Sequence, residues 1–253
     1  MDSNQTPPAR PRRRGPGRAL IEEIVPPPAE CADTREDLDE QLLPGEHEYV
    51  ARAVPSRRAE FVTARACARL ALARLGVPPG PILSGGRGEP LWPRGIIGSI
   101  THCAGYRAAV VARSVQIAGL GIDAEPNAAL PGGVLEAVSL PRERLWVDRL
   151  ARTRPAVRWD RLLFCAKESV YKTWYPLTRR WLDFEDAAIA VDPEQGQFTA
   201  RLLTAGPVLQ GRELTELTGR WVVRDELILT AIVLCAAGAA QRPPAAEKVP
   251  VGA

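Results

Sequence analysis

The sequence predicts an α+β fold made of two similar halves. Three observations predict it: a helix-period segment is followed by strand-like runs over residues 56–125; the same order returns over residues 156–235; and Gly/Pro turns separate the runs. The first helix begins near Ser56, a candidate N-cap, and runs through RRAEFVTARACARLALARLG to a stop at Gly76 and Pro78. A Gly/Pro loop, PPGPILSGGRGEPLWP, leads into three runs with strand character. These are IIGSIT (96–101), YRAAVVAR (106–113) and IAGLGIDAE (117–125), the last stopped by Pro126. A second helix is expected between Pro155 and Pro176. DAAIAVD, a PEQG turn and QFTARLL follow it, and GRWVVRDELILTAIVL reads as a hairpin.

This order divides the chain into an N-terminal α+β half, residues 19–126, and a C-terminal half, residues 127–240. A disordered basic arm (1–18) and a disordered tail (241–253) are expected to flank them, both rich in Pro and Ala or Arg. The length of 253 residues is ample for a buried core, and 45% hydrophobic with 25% charged content is that of an ordinary soluble protein. The net charge is +3, but the arm holds Arg10, Arg12, Arg13, Arg14 and Arg18 against Asp2, so the remainder sits near −1. A near-neutral body with a basic arm argues against a nucleic-acid partner, which would need basic charge spread over a folded face. Cys31, Cys67, Cys103, Cys165 and Cys235 are odd in number and form no CxxC pair, so they read as small hydrophobes in a reducing compartment. The longest apolar run, residues 227–240, is too short for a bilayer and reads as a buried strand with a small-residue tail. With no apolar signal segment at the N-terminus, a cytoplasmic monomer without membrane contact is expected.

Two places carry chemistry. In GLGIDAE, period-two alternation sends Leu120, Ile122 and Ala124 to one face, and Asp123 and Glu125 to the other. Adjacent carboxylates repel unless a cation joins them, and oxygen ligands of this kind suit Mg²⁺; a solvated polar strand end is the other reading. In FCAKESVYKTWYPL, Phe164, Glu168, Tyr171 and Tyr175 fall on one helical stripe, with Lys172 beside Glu168. An exposed Glu–Lys pair is worth only ~0.2–0.5 kcal/mol, whereas a carboxylate among aromatic rings is costly without a partner. Three carboxylates and a lysine meeting one metal and one phosphate would make a phosphoryl-transfer site.

Basic groups supply the anion side. Arg57 and Arg58 lie in the opening turn of the first helix, and Arg65 two turns on. SGGRGEP (84–90) is a Gly-rich loop whose backbone amides could approach a phosphate beside Arg87. His102 follows a strand end and is one of two histidines, with a structural loop role as the alternative. Walker A, GxSxG and HExxH patterns do not occur.

Taken in order, RRAEFVTAR, GRGEPLWPRG, GSITHCAGY, GIDAEP and FCAKESVYKTWYPLTRRWLDFEDA resemble the Sfp-type 4′-phosphopantetheinyl transferases. The likeness is to their actinobacterial and enterobactin-synthetase branch and covers about residues 50–235. It implies two halves related by a pseudo-twofold duplication, with coenzyme A bound at their interface. It also implies transfer of 4′-phosphopantetheine to a serine of an apo acyl, peptidyl or polyketide carrier protein, releasing adenosine 3′,5′-bisphosphate. Carried onto this chain, Asp123, Glu125 and Glu168 would hold Mg²⁺ (or Mn²⁺), Glu168 would be the general base, and Lys172 would balance phosphate charge. Arg57, Arg65 and His102 match positions that contact the 3′-phosphate and adenosine end, and Ser84, Gly85, Gly86, Arg87 and Thr101 would line the same pocket. Where relatives often carry lysine this chain has Ser84, so a nucleotide-end cation is expected to be missing or supplied by Arg87. A catalytically degenerate coenzyme-A-binding protein and a nucleotide phosphodiesterase are the rival functions.

Overall fold

The computed structural model describes residues 18–236. In chain order the first elements are β1 (Glu30–Thr34), α1 (Pro55–Arg74), β2 (Ile96–Cys103), β3 (Tyr106–Arg113) and β4 (Ile117–Pro126). Then come α2 (Val134–Val138), α3 (Pro141–Thr153), α4 (Trp159–Thr178), β5 (Ala187–Asp192), β6 (Gln197–Leu202), β7 (Val208–Leu209), β8 (Arg212–Glu213), β9 (Glu216–Arg224) and β10 (Leu227–Cys235). The fold is mixed α and β, as expected. The expected tail and all of the expected arm but Arg18 lie outside the described residues.

The strands form a three-stranded sheet, β1-β3-β2, and a five-stranded sheet, β4-β10-β9-β6-β5, with a separate β7-β8 ribbon. Every ladder is antiparallel. The β9–β10 hairpin turns through Asp225 and Glu226, both left-handed at φ 49° and 62°, the backbone that matches strand twist in a two-residue loop. β4, which the expected division at residue 126 assigns to the N-terminal half, pairs with β10 from Pro126 back to Ile117 and so belongs to the larger sheet. Its other edge faces β2, where no backbone ladder forms. There the hydroxyls of Ser99 and Thr101 accept hydrogen bonds from the amides of Ile122 and Ala124 at 3.1 and 3.0 Å. Two side-chain oxygens thus satisfy an otherwise open strand edge and join the sheets.

Helix starts and stops differ from expectation in detail. Ser56 is not the N-cap: the helix starts one residue earlier at Pro55, whose fixed φ suits a first helical position. The stop at Gly76 holds. Gly76 is left-handed (φ 71°), and the amides of Gly76 and Val77 bond the carbonyls of Ala73 and Leu72, closing the helix end. Pro176 does not end α4, which continues to Thr178 before Arg179 adopts φ 55°. A proline in the last turn costs only one carbonyl its partner, and that is tolerable where carbonyls are already running out of donors.

Alternation along the strands divides the interior. Ala109 and Val111 of β3 pack with Ala68 and Leu72 of α1, whereas Ala108 and Val110 join Ile122 of β4 and Leu229 of β10 in a second cluster. A third cluster joins α3 and α4 to the larger sheet through Trp159, Leu162, Leu163, Trp174, Ile228 and Ile232. Each such large apolar side chain contributes roughly 1.5–3 kcal/mol by leaving water. β1 and α3 went unpredicted, and each has a local reason. β1 is a short polar edge strand, ECADT, and α3 commits only Val147 and Leu150 to the core over thirteen residues. Among the described residues no helix is long and apolar enough to cross a membrane.

Candidate active site

A cavity of about 1060 Å³ opens between α1 and α4, above the junction of β2 and β4. Glycine spacing in β4 brings α4 close. A methyl group at Gly121 would meet the Ser169 carbonyl at 2.2 Å and the Thr173 hydroxyl at 2.3 Å, so only glycine lets the helix lie this near the strand. The same face of β4 continues as Asp123 and Glu125, which therefore emerge beside α4. α4 turns Phe164, Glu168, Tyr171, Lys172 and Tyr175 toward the cavity and buries Leu162, Ala166, Val170 and Trp174 behind. The aromatic stripe is thus a cavity wall rather than core.

Lys172 Nζ donates to Asp123 Oδ1 at 2.6 Å, and Thr101 Oγ1 donates to the same oxygen at 3.0 Å. Asp123 is 4% exposed, and its Oδ2 has no hydrogen-bond partner among the described residues. Burial opposes the charge on Lys172, but the Asp123 carboxylate outweighs it and raises the ammonium above its ordinary range. Glu125 Oε2 accepts from Arg161 Nη1 at 2.8 Å. Burial, then the negative charge of Asp123, push both Glu125 and Glu168 above the usual carboxylate range; Arg161 and Lys172 respectively oppose this. No group of three metal-ligating side chains stands close enough, among the described residues, to grip an ion unaided. The donor set nevertheless fits a hard cation. All three carboxylates line one cavity, two are strained by burial and like charge, and one oxygen of Asp123 is orphaned.

The far end of the cavity is basic. Arg65 is 7% exposed, lies over the Phe61 ring at 3.5 Å, and its guanidinium donates, among the described residues, only to the neutral Ser84 hydroxyl at 2.9 Å. Its Nε is buried without a partner among the described residues, and burial lowers the pKa of the guanidinium to about 10. A guanidinium so placed is short of an anion. Arg57 Nη1 donates to His102 Nε2 at 2.6 Å, so that nitrogen is an acceptor and Nδ1, 3.6 Å from Glu60, carries the proton. Burial, then Arg57, lower the His102 pKa to about 4, leaving the ring neutral at pH 7.

The Gly-rich loop corrects one expectation. Gly86 is not among the residues that line the cavity, and three of the loop's amides are engaged within the loop itself. Gly85 N bonds the Glu89 carbonyl, Gly88 N the Gly85 carbonyl, and Arg87 N the Glu89 carboxylate at 3.0 Å. Glu89 folds its own side chain over Gly85 and takes the place expected for an external anion. It also pairs with Arg179 across the cavity mouth at 3.0 Å. Arg87 lines the cavity with its guanidinium 5.3 Å from the Trp181 ring. Arg57, Arg65, Ser84, Gly85, Arg87, Thr101, His102, Asp123, Glu125, Glu168 and Lys172 all line the cavity. Arg58 does not, since one helical residue turns it to solvent. Tyr49, whose hydroxyl bonds the Ser84 carbonyl, and Glu89, Arg161 and Arg179 went unremarked. Of these only Arg161, seven residues before Glu168 on the same helical face, had a readable signal.

Over 210 residues the chain is 58% identical to the 4′-phosphopantetheinyl transferase Svp of Streptomyces mobaraensis, covering 83% of this chain and 85% of that relative. This chain belongs to the 4′-phosphopantetheinyl transferase superfamily. It is an enzyme of that class. A model of the 4′-phosphopantetheinyl transferase N-terminal domain matches residues 45–112, and the superfamily model matches 119–224. The gap between the two models, residues 113–118, spans the β3–β4 turn and the first two residues of β4. The transferase PptT of Mycobacterium tuberculosis is 56% identical, covering 76% of this chain and 86% of that protein. The transferase Npt of Nocardia iowensis is 50% identical, covering 84% and 99%.

Proposed function

We propose that this transferase moves the 4′-phosphopantetheine of coenzyme A to a serine hydroxyl of an apo acyl, peptidyl or polyketide carrier protein. The reading rests on one observation above all: Glu168, Lys172 and Asp123 share one end of a cavity whose other end holds a buried arginine short of an anion. Arg57, Arg65 and His102 would take the 3′-phosphate and adenosine end, with Ser84, Gly85 and Arg87 beside it. Asp123, Glu125 and Glu168 would hold Mg²⁺, which when bound supplies positive charge against the diphosphate oxygens.

Glu168, raised above an ordinary glutamate by burial and Asp123, is suited to accept the serine proton. The serine oxygen then bonds to the pantetheine-side phosphorus. The bond from that phosphorus to the bridging oxygen breaks, and its electron pair leaves with adenosine 3′,5′-bisphosphate. Lys172, held at Asp123, faces the phosphate region and balances the charge that develops there. The two α+β units, each a long helix against an antiparallel sheet, are read as descendants of a duplication. Incubation with coenzyme A, Mg²⁺ and several apo carriers should add one phosphopantetheine mass to at least one of them. No mass change in any carrier would refute the reading; adenosine bisphosphate released without a carrier would indicate a phosphodiesterase.

A further inference from the structure

We infer that Arg161 is a positioning residue that holds Glu125 in place to bind the divalent cation. The inference rests on the metal reading given above and deepens it. Arg161 sits in the first turn of α4, seven residues before Glu168 and on the same helical face, yet it does not line the cavity. Its guanidinium makes three directed bonds. Nη1 donates to Glu125 Oε2 at 2.8 Å, Nε to the Ala128 carbonyl at 3.1 Å, and Nη2 to the Ala129 carbonyl at 2.9 Å. Both partners of the ion pair are largely buried, with side chains 17% and 18% exposed.

A lysine could not span three acceptors in this fan. The planar fork of arginine fixes one carboxylate oxygen of Glu125 from outside the cavity and leaves Oε1 with no hydrogen bond among the described residues. The two carbonyls it also grips belong to the chain just after β4 stops, so the fork ties the strand end that carries both acids to the helix that carries Glu168. Outer partners that orient a metal-binding carboxylate typically affect metal affinity by about 10–100-fold.

The test is calorimetric titration of Mn²⁺ into the full-length protein in the presence of coenzyme A, with no carrier and no turnover. Arg161→Ala should weaken Mn²⁺ by about 10–100-fold, with Arg161→Lys in between. Coenzyme A binding without metal should stay near that of the unsubstituted protein. A loop-tether control separates positioning from general loosening. Asp160 accepts the Leu130 amide at 2.8 Å, so it anchors the same loop without touching Glu125. Asp160→Ala should therefore leave Mn²⁺ affinity within about threefold, well short of the Arg161→Ala loss. Equal Mn²⁺ affinity in Arg161→Ala and the unsubstituted protein overturns the inference and leaves the metal reading standing. Equal losses in Arg161→Ala and Asp160→Ala overturn it too. No Mn²⁺ binding by the unsubstituted protein overturns both.

Discussion

Glu168 has no hydrogen bond or ion pair of its own among the described residues, and that isolation makes it useful. A carboxylate raised by burial and a neighbouring like charge takes a proton more readily than a solvated one. Glu168→Gln is expected to cut kcat by about 10²–10⁴-fold while coenzyme affinity changes little, as a steady-state comparison with a binding titration would show. Turnover near the unsubstituted rate would remove Glu168 as the base. Thr101 has two tasks, accepting from Ala124 N and donating to Asp123, and no apolar residue can do either. Thr101→Val should cost about 1–3 kcal/mol in urea unfolding, because it strands the buried Ala124 amide and leaves Asp123 Oδ1 with Lys172 as its one remaining donor among the described residues. His102 sets a pH expectation. Its folded pKa of about 4 lies below the ordinary 6.5, so between those values the unfolded chain binds more protons. Stability should therefore fall as pH drops from 6.5 toward 4, and His102→Gln should flatten that slope. An NMR titration giving the ring its ordinary midpoint would show that burial does not control it.

At the level of elements, β4 and α4 form the working unit. Local pattern alone exposed much of it: alternation in GLGIDAE put both acids on one face, and helical spacing placed Glu168 and Lys172 together. Neither pattern could reveal that Gly121 of β4 is there to admit the backbone of α4. Gly121→Ala should destabilise the protein by about 1–3 kcal/mol or more and lower activity with it, since the added methyl pushes apart the two elements that carry Asp123 and Glu168. Thermal melts alongside transfer rates would check it; an alanine variant as stable and active as the parent would deny the close approach. The Gly-rich loop makes the complementary point. Glycines at 85, 86 and 88 advertise backbone freedom, but only the folded chain shows Glu89 turned back to accept the amides of Gly85 and Arg87.

Across the whole molecule, the two sheets meet at hydroxyls rather than at a ladder, and the cavity runs over that seam. A ligand that touches both sides should stabilise the pair together. At about 100 times its dissociation constant, coenzyme A would add roughly 2.7 kcal/mol, visible as a raised Tm. Coenzyme A lacking its 3′-phosphate should shift Tm less, and Arg65→Ala should abolish the difference between the two ligands. If the variant still discriminates between them, the 3′-phosphate lies elsewhere. The sequence by itself determined the α+β class, most element positions, the acids on β4 and the Glu168–Lys172 pair on α4. Each of these follows from residue spacing along a single helix or strand, whose geometry is local. Only the tertiary structure decided that β4 joins the larger sheet, that Lys172 and Thr101 share one oxygen of Asp123, that Glu89 closes the glycine loop and that Arg161 holds Glu125. Those contacts join residues far apart in the chain, and their energies depend on burial and partner geometry, which no spacing rule encodes.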